Sequence, residues 1–100
     1  MIQVIVLLYH GPGGKSALEA YGAKVQPILH EYGGRMISAS RPSDPRDGDP
    51  DAIDIVHFED MASYEAFRSD PRHAGLIEMR QAAIRDVRLY ITDQFVTYID

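Results

Sequence analysis

Two kinds of hydrophobic spacing alternate along the chain. Residues 2–10, IQVIVLLYH, are apolar on both alternating sets: Ile2, Val4, Val6 and Leu8 on one, Ile5, Leu7 and Tyr9 on the other. Such a β-branched run predicts a strand covered on both faces. The breaker cluster GPGG at 11–14 ends it. The period then changes: Leu18, Tyr21, Gly22, Val25, Ile28, Leu29 and Tyr32 form one helical stripe. Ser16 and Glu19 match a capping box at its start. Pro27, inside the stripe, predicts a bend in one continuous helix. Gly33 and Gly34 close it, one by taking the left-handed conformation and the other by allowing a sharp turn into a strand, Arg35–Arg41. A polar loop with three prolines, 42–51, leads to a further strand, Ala52–Glu59.

Asp60 caps a second helix, Met61–Ser69, and Asp70 with Pro71 starts a third helical segment. Its stripe runs through Ala74, Ile77, Ala83, Ile84 and Val87. Residues 89–99 are β-rich, with a polar break at Asp93–Gln94. The order is β-α-β-β-α-α-β. Counting the last two helices as one bent unit gives the split βαβ, ferredoxin-like plan: an α+β fold whose four-stranded antiparallel sheet carries helices on one face. The apolar residues on the second face call for a cover. Two such sheets packed face to face supply it in a homodimer, a dimeric α/β barrel. With no repeat or linker, residues 1–100 read as one domain.

Size and charge narrow the partners. A chain of 100 residues builds a thin core, which a partner subunit would thicken. The net charge of −5 disfavours nucleic acid and anionic membranes as partners. The apolar run near the start spans about seven residues, far short of a membrane span, and no basic leader precedes it. The chain has no cysteine, which removes disulfides, thiolate metal sites and thiol nucleophiles and suits a cytoplasmic location.

Histidine is the first place to look for chemistry near neutral pH. Of the four histidines, His30 and His73 read as solvated helix residues. His10 and His57 end the first and third strands. With those strands as parallel neighbours, both reach one rim of the sheet, where they would form an acid/base pair or bind a metal or haem. Parity puts Val56 and Phe58 under the helices and Ile53, Ile55 and His57 on the barrel side. For the first strand, either Tyr9 or His10 faces the cavity, not both. Arg35 and Arg41 bracket the second strand on one parity, and Arg35 would orient a carboxylate. Ile55 and Tyr64 complete a candidate binding surface, while Tyr90 and Tyr98 read as packing or interface aromatics. The acidic loop carrying Asp44, Asp47, Asp49 and Asp51 lacks the register and closing glutamate of a calcium loop. No catalytic triad, phosphate loop or HExxH motif is present, and neither a metal nor a resident cofactor is expected.

Taken together, Tyr32-Gly33-Gly34-Arg35, then Phe58, Met61, Phe67, Ser69 and His73, form a pattern spread over most of the chain. It resembles a family of small domains of unknown function within the dimeric α/β-barrel superfamily, related in fold to antibiotic-biosynthesis monooxygenases. The resemblance implies a homodimer with a small organic ligand. Its activity would be that of a cofactor-independent monooxygenase, isomerase or cyclase, with His57 as general base assisted by His10 or Tyr9. The alternatives are a non-catalytic ligand-binding or stress-related dimer, and a haem-binding protein using His57 or His10.

Overall fold

The computed structural model describes residues 1–98. The elements are β1 (Ile2–His10), α1 (Gly14–Glu31), β2 (Arg35–Ser40), β3 (Ala52–Phe58), α2 (Met61–Arg68), a 3₁₀ segment (Pro71–Leu76), α3 (Ile77–Ala83) and β4 (Ile84–Thr92). The strands form one sheet in the order β2-β3-β1-β4, with every neighbouring pair antiparallel. This is the α+β, ferredoxin-like arrangement that the spacing predicts.

The strand directions overturn one expectation. β1 and β3 are antiparallel, with Gln3 opposite His57 and Leu8 opposite Ala52. His57 and His10 therefore stand at opposite ends of the sheet and cannot form a pair.

The register also defines the two faces. Ile2, Val4, Val6 and Leu8 of β1 share a face with Phe58, Val56, Asp54 and Ala52 of β3, their partners in the ladder. The buried cluster of Ile2, Val4, Leu29, Val56, Phe58 and Tyr64 shows that the helices cover this face. The opposite, open face carries Gln3, Ile5, Leu7 and Tyr9 beside His57, Ile55 and Ile53. The parity assigned to β3 thus stands.

Two β-bulges shift the remaining strands. In β2 the register slips between Met36 and Ser38, leaving Ile37 as the extra residue. Arg35 lies opposite His57 on the open face, whereas Arg41 reaches Asp54 on the helix face. Their expected common parity fails for this reason. In β4, Tyr9 faces Asp86 and His10 faces Ile84, so Arg85 is the extra residue. Ile84 and Val87 share a face although they are three apart. That spacing imitates a helical stripe, which is why the sequence extends the third helix through residues that belong to β4. The strand ends at Thr92, residues 93–98 continue without regular structure, and Ile99 of the expected strand lies outside the described residues.

Glycines set both ends of α1. Its N-cap is Gly13, not Ser16, and no side chain caps it. The Gly11 and Gly13 amides donate to the carbonyls of Ala83 and Ala82, each at 2.8 Å. A Cβ on Gly11 would stand 2.7 Å from the Ala82 oxygen, so only glycine lets this loop dock on the end of α3. The helix consequently starts before Ser16. At the other end Gly33 has φ +78°, and the amides of Gly33 and Gly34 bond back to His30 and Leu29 in a Schellman closure. Gly34 answers a different demand: its Cβ would lie 2.6 Å from Leu29 Cγ and 2.9 Å from Phe58 Cζ.

Gly34→Ala should therefore overpack the core and destabilise the fold by about 1–3 kcal/mol. At Gly22 an added Cβ meets nothing within 4 Å. Gly22→Ala in mid-helix should stabilise the fold by about 0.5–1 kcal/mol. Urea titration of both variants checks the opposite signs.

Candidate functional site: a cleft between sheet and helices

The helices stand off the middle of the sheet and leave an open cleft of about 870 Å³. Val4, Val6, Val56 and Leu89 floor it from the sheet. Tyr21, Val25 and Leu29 wall it from α1, and Tyr64 and Phe67 wall it from α2. An aromatic cluster holds the α2 wall: Phe58 meets Tyr64 edge-on with ring centroids 5.5 Å apart, and Phe67 lies 5.8 Å from Phe58.

Behind that wall, a polar lock fixes the helices to each other. Asp60 caps α2 by accepting the Ser63 amide at 2.8 Å. Asp70 accepts the Tyr32 hydroxyl at 2.6 Å and both the Nε and Nη2 of Arg72 at 2.9 Å. Arg72 also donates to Glu31 at 2.6 Å. The guanidinium and the Tyr32 hydroxyl hold the Asp70 carboxyl well below the usual carboxylate range. His73, expected to be a solvated residue, is half-buried: its Nε2 lies 2.9 Å from the Phe67 carbonyl, and its ring packs edge-on against Phe67.

One carboxylate enters the cleft. Asp54 sits on β3 between Ala52 and Val56, on the face the helices cover. Its side chain is only 17% exposed, and Arg41 donates to it at 3.3 Å. Burial raises the Asp54 pKa, and the charge and hydrogen bond of Arg41 only partly offset this. Tyr21 behaves similarly: burial raises its phenol, against a lowering pull from Arg80. Asp54 was legible in principle, because it shares the parity of Val56 and Phe58, where a carboxylate is out of place.

The residues singled out from sequence fall elsewhere, with one exception. Tyr64, buried, lines the cleft. His57, Arg35, Ile55 and Tyr9 belong to the open face. His57 Nε2 lies 2.9 Å from Gln3 Oε1, and Phe95 packs edge-on to its ring. Tyr9 is covered by the 42–51 loop, its hydroxyl donating to the Gly48 carbonyl at 3.4 Å, with the guanidiniums of Arg85 and Arg88 over its ring. His10 is tied to the same loop: its amide donates to Asp51 at 2.9 Å, and its Nδ1 lies 3.2 Å from the Gly11 carbonyl. Among the described residues, no three His, Asp or Glu side chains converge to hold a metal ion, and no helix is long and apolar enough to cross a membrane.

Fold and cleft together define a ferredoxin-like α+β protein with an open pocket between sheet and helices. The chain belongs to the family described as Domain of unknown function (DUF1330), whose model matches residues 13–95. None of the curated proteins matches it. Among solved structures it is similar to RPA0582, a protein of unknown function from Rhodopseudomonas palustris, with 23% identity and TM-score 0.79 over 96% of this chain and 83% of that one. It is also similar to SnoaB, a cofactor-independent oxygenase from Streptomyces nogalater, with 14% identity and TM-score 0.66 over 99% and 96% of the chains. A dimeric ferredoxin-like protein of unknown function from Bacteroides fragilis matches with 10% identity and TM-score 0.69 over 93% and 95%. At these identities the likeness establishes the shared fold.

The raised Asp54 pKa gives a signed expectation. The folded state binds its proton more tightly than the unfolded chain does, whose aspartate titrates near about 3.9. Stability therefore falls as pH climbs from there through the folded pKa. Asp54→Asn should raise the urea midpoint at pH 7, and the gain should disappear in acid below the ordinary aspartate range.

Proposed function

We propose that the protein is a homodimer of face-to-face sheets, in which the cleft of each subunit binds a small organic molecule. The carrying observation is the cleft itself: an apolar floor and aromatic wall with one half-buried, protonatable carboxylate, Asp54, on the floor. That combination suits a ligand with an apolar body and one group that exchanges a proton or a hydrogen bond with Asp54. Cofactor-free oxygenation, isomerisation and cyclisation each require a proton to move. In this reading Asp54, not His57, moves it. The likeness in fold to a cofactor-independent oxygenase supports this class of chemistry without selecting a member of it.

The dimer is supported by surface. The open face carries half-buried Ile5, Leu7, Ile53 and Ile55, with Tyr90 53% exposed beside them. In this reading His57 and Arg35 serve the assembly, Tyr9 anchors the 42–51 loop, and Tyr64 serves the cleft.

Nile red, a neutral apolar dye, tests the cleft. It should bind saturably, one molecule per chain, with a rise in fluorescence. Gly22→Trp places an indole on the α1 wall, where the backbone leaves open space. It should abolish binding while the helical circular dichroism stays intact. Undiminished binding to a folded Gly22→Trp variant would reject the cleft as the site.

A further inference from the structure

We infer that the ligand of this cleft is a small organic anion, its apolar body lying on the valine floor and its negative end received by Arg80 and Tyr21. The inference rests on the reading of the cleft as a ligand site and adds the charge of what it takes. The chain as a whole carries a net charge of −5, yet the cleft lining has the opposite balance. Arg41, Arg68 and Arg80 line it against two carboxylates, Glu19 and Asp54.

Those cations differ in their partners. Arg41 is engaged with Asp54 at 3.3 Å. Neither Arg68 nor Arg80 forms an ion pair among the described residues. Arg68 lies over the Tyr64 ring at 5.8 Å, so among the described residues Arg80 is the lining cation with neither a carboxylate nor an aromatic ring against it. Arg80 stands on α3, which packs against α1, where Tyr21 lines the same cleft. A guanidinium offers only donors, and its planar fork matches a carboxylate. The Tyr21 phenol, ordinarily protonated at neutral pH and raised further by burial, can donate too. Arg80 keeps contact with solvent. An anion from solution can therefore reach it without the protein having buried an unpaired charge beforehand, and the apolar wall beside it strengthens the attraction relative to water.

A matched pair of fluorescent probes isolates the charge: 1-pyrenebutanoate and 1-pyrenebutanol share the ring and chain and differ in the terminal group. The wild-type protein should bind the acid about tenfold more tightly than the alcohol, as expected for one charge-assisted contact. Arg80→Gln should bring the acid down to the affinity of the alcohol and leave the alcohol unchanged. Tyr21→Phe should remove part of the preference. Arg46→Gln, on the exposed loop, should change neither. Equal affinities in the wild type, or a preference that survives Arg80→Gln, would overturn the anion assignment. If Gly22→Trp still displaced both probes, the cleft would remain the site. Failure of both pyrenes and Nile red to bind would overturn the two readings together.

Discussion

A thin sheet that is apolar on both faces must be covered on both. Every other feature of this protein follows from that constraint. β1 sits inside the sheet with large aliphatic residues pointing each way. One chain supplies one layer of helices, and that layer covers the face built on Val4, Val56 and Phe58. Hydrophobic burial is roughly proportional to area and indifferent to direction, so the half-buried Ile5, Leu7, Ile53 and Ile55 still gain from a second surface. In the proposed dimer, a second copy of the same sheet supplies it. The helix layer is then left to do something other than fill space. Locked at one end by the Tyr32–Asp70–Arg72–Glu31 network and at the other by the glycines against α3, it spans the sheet and leaves a cleft.

Much of this was legible in the spacing of apolar residues. Breakers separated the elements, and the change of period named them. Alternation along β3 assigned Val56 and Phe58 to one face and Ile53, Ile55 and His57 to the other. The two bulges were not legible. An extra residue in one strand costs the ladder one pairing and leaves no mark on composition. Arg85 set Ile84 and Val87 three apart and so disguised a strand as a helix. Ile37 turned Arg41 to the opposite face from Arg35. Ser16 made a plausible cap that the close docking of Gly11 and Gly13 on α3 made unnecessary.

The candidate site was read from residue type more than from position, and there the reading went astray. Histidines drew attention because they titrate near neutral pH, but His10 and His57 were joined only by taking antiparallel strands as parallel. Asp54 titrates far from neutral as a free residue. It gains interest only through burial, which the parity of Val56 and Phe58 already implied. Burying a carboxylate costs stability unless it is paired, and Arg41 offsets only part of that cost. A half-buried carboxylate with a raised pKa on the floor of a cleft is where function is to be looked for.

The most direct measurement of this account is the solution mass by light scattering over a dilution series, for the wild-type chain and for Ile55→Asp on the open face. The wild type should hold twice the 11.2 kDa chain mass at micromolar concentration, and the variant should fall to a folded monomer. A wild-type chain that is monomeric throughout, or a dimer indifferent to a charge at Ile55, would contradict the claim that the second apolar face is covered by a second copy.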